Sequence, residues 1–563
     1  MDPTGACRVQ LDSPTEVVLK SLTLMEEANA GVGDRISELP DSLLHHVLSF
    51  CPIKEAARTS ILSKRWNYIW ATLPYLNLGE GFLDDVYAFD LGGLKKNKQL
   101  LELANKIILD RCQQNASIEK LCLRIPEHES SREQRLLETK APSPLGCMVD
   151  RLISSVARRG LKELEFEIIA YNGLRFFNFP STIISAKSLN VLSLQGFDMS
   201  SLSSVDVKFP SLRKLCLSHC FLEDDIMGKL IAGCPLLENM QLIDCPKLNN
   251  IYVRGLLKLK LLELISNEQL DIIDIEAPNL QVLDVEFPSS DCQLNMATCS
   301  SLSEVSLTGG FVSEKWFNGF ISQCLFLKNL SIGCTTSMNM RISINTLKKF
   351  KLCSLLCLLK AEINAPNLEH FHFEGLGLPS IVLNAPDLLE TELNVCPERL
   401  DDCWYSRLAE FLGYFHHSKT VKLCGFVHGG IVIPKENRVS LHSPLYGTHN
   451  LIFHSENMGF ATVELIEYML WLSPRAETLS ISRDDYPNRV ITNAVLKLVY
   501  GENVYKDTLC PCCKLIGCWH HCLTEITVEK FERDEDELRK MKDFFYKHVK
   551  NIRKKRKIKE LED

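Results

Sequence analysis

At 563 residues, with 63 Lys and Arg against 71 Asp and Glu, the chain is too long for one ordinary core, and its net charge of −8 offers no global basis for binding nucleic acid. Hydrophobic residues make up 45% and charged residues 24%, a balance that excludes extended disorder. No apolar run approaches the ~18 residues of a membrane-spanning helix. Asp12, Lys20, Glu26 and Glu27 also interrupt any export signal, so a soluble protein of the nucleus, the cytoplasm or both is expected.

Residues 1–33 show no sustained period and end in Gly31-Val32-Gly33, which reads as a flexible lead-in. Asp41 then sits where a helix begins, and Leu43, Leu44, Val47 and Leu48 are expected to fall on one helical face. Ile53–Arg58 and Ser63–Trp70 predict two further helices, punctuated by Pro52 and Pro74. Three short helices bury too little surface to stand alone, so a partner or the following domain must complete them.

Leu39-Pro40-Asp41, Leu43-Leu44, Val47-Leu48-Ser49-Phe50, Lys54-Glu55-Ala56, Thr59-Ser60, Leu62-Ser63-Lys64-Arg65-Trp66 and Trp70 closely resemble the plant-type F-box motif over residues 34–78. Cys51 stands where that motif often has Leu. The resemblance implies docking onto the Skp-family adaptor of a cullin-RING ubiquitin ligase. Its contact candidates here are Leu39, Pro40, Leu43, Leu44, Val47, Leu48 and Leu62, which equally suit the module's own core.

A second pattern fills residues 110–425. Leu-x-x-Leu-x-Leu, or an apolar equivalent, returns as Leu161-Leu164-Phe166, Leu189-Leu192-Leu194, Leu212-Leu215-Leu217, Leu237-Met240-Leu242 and Leu259-Leu262-Leu264. It continues from Leu280-Leu283-Val285 through Leu302, Leu327 and Leu347 to Leu368-Phe371-Phe373, and weakens at Leu388-Thr391-Leu393, where the middle position is polar. A period of roughly 20–28 residues belongs to leucine-rich repeats. Each short strand turns one face inward, and stacking joins the strands into a parallel sheet. The expected fold class is therefore α/β: a leucine-rich-repeat solenoid, a parallel-sheet horseshoe, behind a three-helix F-box module. The exposed positions, such as Lys214, Cys216, Gln281 and Asp284, show no stripe of one charge.

The 23 cysteines are spread along the chain and read as reduced, buried side chains. Cys220 and Cys245 fall where cysteine-containing repeats place buried turn residues. Residues 426–545 are less regular; Ser418-Val421-Leu423 reads as one more repeat, and Ser473–Ile481 and Cys522–Val528 resemble two strands of an FBD-type region. A helix after Glu537 fits that resemblance, but the lysine-rich tail, 546–563, fits no closing strand.

Two clusters compete as sites of chemistry. Cys510, Cys512, Cys513, Cys518, His520 and Cys522 are soft ligands at close spacing and could hold zinc, although the spacing is irregular and an ordinary cysteine-rich loop reads better. The run Arg553–Lys557 suits either a nuclear-import segment or a solvated helix end. No nucleotide-binding or hydrolase motif is present, and no cofactor is called for. The expected function is a non-catalytic receptor that joins a protein substrate to the ligase, and the alternative is a repeat scaffold that binds proteins without ligase function.

Overall fold

The computed structural model describes residues 36–78, 93–114, 116–127, 144–170, 176–288, 292–296, 300–310, 313–334, 339–354, 360–397, 400, 402–425, 430–456, 462–485, 490–501, 519–531, 535–549 and 558–560. The chain divides into two compact units, residues 1–251 with 255–259 and residues 252–254 with 260–563.

The first unit begins with helices α1 (Asp41–Ser49), α2 (Ile53–Arg58) and α3 (Lys64–Thr72). The Ser63 hydroxyl caps α3 by accepting from the Trp66 N–H at 3.1 Å, and Pro40 and Pro52 sit at the heads of α1 and α2, where a missing N–H costs nothing. Leu44, Leu48, Ala56, Trp66, Ile69 and Leu73 form the buried core of this bundle. One residue beyond Leu73 the chain enters β1 (Tyr75–Leu78), which is already a strand of the repeat sheet. It pairs in parallel with β2 (Lys120–Glu127), followed by β3 (Glu163–Ala170), β4 (Val191–Gln195), β5 (Lys214–Ser218) and β6 (Asn239–Ile243), all parallel.

Register turns the sequence repeat into two apolar columns. Leu76, Leu121, Leu164, Leu192, Leu215 and Met240 lie side by side, as do Leu78, Leu123, Phe166, Leu194, Leu217 and Leu242, and all twelve are buried. Helices cover the inner face of these strands: α4 (Gly93–Gln113) buries Leu101, Ala104 and Ile108, α5 (Pro144–Ala157) buries Val149, Leu152 and Val156, and α6 (Asp224–Gly233) buries Ile226 and Leu230. Each set follows the helical period, so the sequence dictates which face turns in.

The second unit continues the same logic through β7 (Leu261–Ile265), β8 (Val282–Phe287), β9 (Glu304–Gly309), β10 (Asn329–Cys334), β11 (Lys349–Ser354), β12 (His370–Leu376) and β13 (Glu390–Cys396). It then runs through β14 (Thr420–Gly425), β15 (Asn450–Glu456) and β16 (Thr478–Asp485), still parallel. Helices α7 (Glu314–Ile321), α8 (Asp402–Gly413) and α9 (Thr462–Leu472) occupy the longer repeats. The shorter ones carry small parallel strands instead, such as Ile272–Glu276 beside Gln293–Met296. Gly309 closes β9 at φ +88°, and a Cβ there would stand 2.3 Å from the Phe287 carbonyl oxygen, so only glycine fits.

The sheet ends differently from the way it runs. Strands β17 (Val490–Tyr500) and β18 (Leu523–Phe531) are antiparallel additions after β16, and α10 (Glu535–His548) follows, burying Met541 and Phe545. The strands foreseen near Leu479 and Leu523 are present, and β17 joins them. The lysine-rich end, expected to hold no strand, does hold one: β19 (Ile558–Glu560) pairs Ile558 with Ile526 in parallel. Three residues are too few for alternation to register, which is why the pattern gave no sign of it. No helix among the described residues is long and apolar enough to cross a membrane. The lead-in 1–33 and Arg553–Lys557 lie outside the described residues.

Candidate functional site

The seven adaptor-contact candidates separate in the folded helices. Leu44 and Leu48 are 0% and 3% exposed and belong to the bundle core, with Leu39 packed against it. Leu43, Val47 and Leu62 stand 48%, 44% and 60% exposed, and Pro40 is exposed with them. Two helical faces are therefore apolar, one spent on the core and one open. Phe50, 77% exposed, continues the open face: Pro40, Leu43, Val47 and Phe50 follow one another at three- and four-residue spacing along α1. That spacing was legible in the sequence, where Phe50 was counted in the motif but not among the contact candidates. Exposed apolar side chains in a row mark a surface that a partner covers.

The open face is held by polar staples. Arg65 on α3 donates to the Ser37 and Leu39 carbonyl oxygens and to Asp41 Oδ1 at 2.7 Å, and Trp66 Nε1 donates to Ser37 Oγ at 2.7 Å. The segment leading into α1 is thereby fixed to α3. His45 Nε2 lies 3.2 Å from the Ile69 carbonyl oxygen and 3.1 Å from Thr72 Oγ1, tying the middle of α1 to the last turn of the same helix. Arg111 of α4, almost wholly buried, donates to the Leu73 carbonyl oxygen and lies 4.8 Å over the Trp70 ring. Burial lowers its pKa to about 10. The helical bundle is fastened to the first repeats by side chain as well as by strand.

On the repeats, Cys220 and Cys245 occupy equivalent buried turn positions. Their thiols donate to the Leu194 and Leu217 carbonyl oxygens, each at 3.5 Å. Burial pushes Cys220 up to about 12 and raises Cys245 as well, so neither is a nucleophile at neutral pH. Cys510, Cys512, Cys513 and Cys518 lie outside the described residues. His520 stacks on Trp519 at 3.7 Å between centroids, and Cys522 is buried at the head of β18. Among the described residues, no three His, Cys, Asp or Glu side chains are grouped to hold a metal ion.

The open sheet face of the second unit bears a shallow groove of about 440 Å³ across β9–β13. Polar side chains alternate along it with Val305, Leu330, Phe350 and Phe371: Glu304 and Ser306, Asn329 and Ser331, Lys349 and Lys351, His370 and His372, Glu390 and Glu392. His370 Nδ1 lies 3.3 Å from Glu390, and His372 Nδ1 lies 3.4 Å from Glu392. Burial alone would raise the Glu392 carboxyl, but Lys422 at 2.7 Å outweighs it and holds that group below the usual carboxylate range. Of the exposed positions chosen from sequence, Lys214, Cys216 and Asp284 lie on open strand faces and Gln281 just before β8; none lines this groove.

Comparison with known proteins finds matches to the helical module and to the first repeats. Residues 36–77 match the family model of the F-box domain, and residues 149–296 match a model described as FBD-associated F-box protein At5g56370, LRR repeats. F-box/LRR-repeat protein At4g14096 of Arabidopsis thaliana is 30% identical over 263 residues, 45% of this chain and 50% of that protein. F-box/LRR-repeat protein At5g02910 of the same plant is 26% identical over 275 residues, 49% of this chain and 52% of that protein. F-box protein At5g03100 is 27% identical over 283 residues, 50% of this chain and 78% of that protein. The chain spans about half the length of the first two relatives.

Proposed function

We propose that this chain, an F-box followed by leucine-rich repeats of the FBD-associated kind, is the substrate-holding subunit of a Skp–cullin–F-box ubiquitin ligase. Helices α1–α3 dock the Skp-family adaptor, and the repeat face holds the protein to be ubiquitinated. Ubiquitin transfer belongs to the other subunits; this chain supplies proximity and a raised effective concentration. The work is done in the cytoplasm or the nucleus.

The observation that carries this reading is the unused apolar face of α1. Leu44 and Leu48 already fill the core, so Leu43, Val47 and Phe50 have no folding role that would keep them apolar. Buried apolar anchors are what give an interface its affinity. The test is capture on purified Skp-family adaptor by the intact chain and by a Leu43→Asp/Val47→Asp variant. Both positions face solvent, so the variant keeps its thermal unfolding profile while capture falls by at least about a hundredfold, two desolvated anchors being worth ~1.5–3 kcal/mol each.

The scaffold reading draws on one observation of its own: β1 passes directly from the helices into the sheet, which suits a cap as well as a dock. Equal or absent capture by a folded intact chain and by the variant favours that reading instead.

A further inference from the structure

Most charges on the open face of the repeats are answered within the chain. Lys120 meets Glu163 at 3.0 Å and Glu165 at 2.9 Å, Arg124 meets Glu167 at 2.6 Å, and Lys348 meets Glu369 at 2.6 Å. The groove across β9–β13 breaks this habit at its centre. Lys349 and Lys351, neighbours on the exposed face of β11, have no carboxylate within ion-pair distance among the described residues, Lys349 acting on Glu369 only at longer range, and Glu304 on β9 has no base within that distance.

Register puts these groups in line. Glu304, Asn329, Lys349, His370 and Glu390 are direct partners across five adjacent strands, so the row reads acid, amide, base, imidazole, acid. The next row, Ser306, Ser331, Lys351, His372 and Glu392, repeats the base at the centre, while its acid is neutralised by Lys422. Parallel strands lie about 4.8 Å apart, so each acid stands about 10 Å from the central lysines. A polyproline-II segment rises about 3.1 Å per residue with three residues per turn, so side chains three apart face the same way about 9.3 Å from each other.

We infer that this groove takes a segment of a partner protein in the polyproline-II conformation, carrying one acidic side chain flanked, three residues away on each side, by basic ones. The segment runs across the strands. Its carboxylate lies between Lys349 and Lys351, one basic side chain meets Glu304, and the other meets Glu390. Asn329, Ser306 and Ser331 offer hydrogen-bonding groups to the backbone between them. A uniformly acidic or uniformly basic segment would set like charge on like at one end or the other, which is how the site rejects it. This rests on the reading that the repeats hold the substrate, and names the chemistry of what they hold.

The test uses the full chain and two fluorescent heptapeptides, Lys-Ser-Thr-Asp-Ser-Thr-Lys and its sign-reversed counterpart Asp-Ser-Thr-Lys-Ser-Thr-Asp, followed by fluorescence anisotropy at low salt. The first peptide binds about tenfold tighter than the second, as a few solvent-exposed pairs allow. A Glu304→Lys/Lys349→Glu/Lys351→Glu/Glu390→Lys variant, altered only at outward-facing strand positions so that every charge of the row is inverted, and checked for an unchanged fold by circular dichroism, reverses the preference. Equal affinities, no detectable binding of either peptide, or a variant that keeps the original preference overturns the proposal. Capture on the Skp-family adaptor is measured on the same samples. Its loss sinks the ligase reading and leaves the peptide result standing, whereas intact capture without peptide preference sinks only the groove.

Discussion

Single residues decide how well the repeat tolerates imperfection. Thr391 occupies the column otherwise filled by Leu262, Leu283, Val305, Leu330, Phe350 and Phe371, and Ser418 stands where earlier repeats have their first Leu. Both are fully buried. Thr391 Oγ1 donates to Ser418 Oγ at 3.1 Å, and Ser418 Oγ donates to the Thr420 carbonyl oxygen at 3.0 Å, so the two lapses from the pattern satisfy each other. Ser418→Ala strands the Thr391 hydroxyl and costs about 1–3 kcal/mol in urea unfolding. The Thr391→Val/Ser418→Ala double variant recovers most of that loss, because no buried donor is left unpaired. Cysteines give a second residue-scale expectation. Burial raises Cys220 from the ordinary 9.0 to about 12 and Cys245 in the same direction, so unfolded thiols ionise first. The stability these thiols contribute is complete below about pH 9 and is lost as pH climbs towards about 12. Urea midpoints that fall between about pH 8 and about pH 10.5 check the sign. At pH 8, iodoacetamide followed by mass spectrometry should mark exposed Cys51 and Cys403 and spare Cys220 and Cys245.

At the scale of elements, β1 is the informative one. It is four residues long, its Leu76 and Leu78 head both apolar columns, and it covers the outer edge of β2. A chain shortened to begin at residue 79 leaves β2 with a bare edge and Arg111 without the Leu73 carbonyl oxygen it holds. Unpaired edges recruit other chains. The shortened chain should therefore form aggregates in size-exclusion chromatography, while one beginning at residue 73, with β1 kept, stays largely monodisperse. The repeats past residue 394 were hard to read for an elemental reason: Ser418, Thr448 and Ala476 replace the first Leu of their repeats, and the signal depends on that leucine. Strand β15 went unseen on that account, although its Leu451 and Phe453 face inward like the rest, whereas β17, which buries Leu496 and Leu498, is antiparallel and lies outside the repeat pattern altogether.

For the whole molecule, the class of fold was legible because ten Leu-x-x-Leu-x-Leu units recur in phase, and each supplies the same two inward positions. Which F-box leucines face in was not legible. Leu43, Leu44, Val47 and Leu48 are all apolar, and only the packing of α3, through Trp66 and Ile69, tells the inward pair from the outward pair. The groove across β9–β13 was hidden for a related reason: Glu304, Lys349 and Glu390 are scattered over 87 positions, and only register brings them into one row. If the adaptor binds the folded dock alone, mass action raises the stability of that region by about 2.7 kcal/mol at about one hundred times Kd, visible as slower hydrogen exchange across α1–α3.

The single residue between Leu73 and β1 has a mechanical consequence. Helix bundle and sheet share one continuous piece of backbone, with Arg111 and Trp70 clamped across the seam, and no flexible joint lies between them. Whatever grips α1 also sets the heading of β1 to β6, so tilting the grip by some angle swings those strands by the same angle. Anything seated on these first repeats would keep one fixed bearing to whatever holds α1, like a tool on a rigid handle.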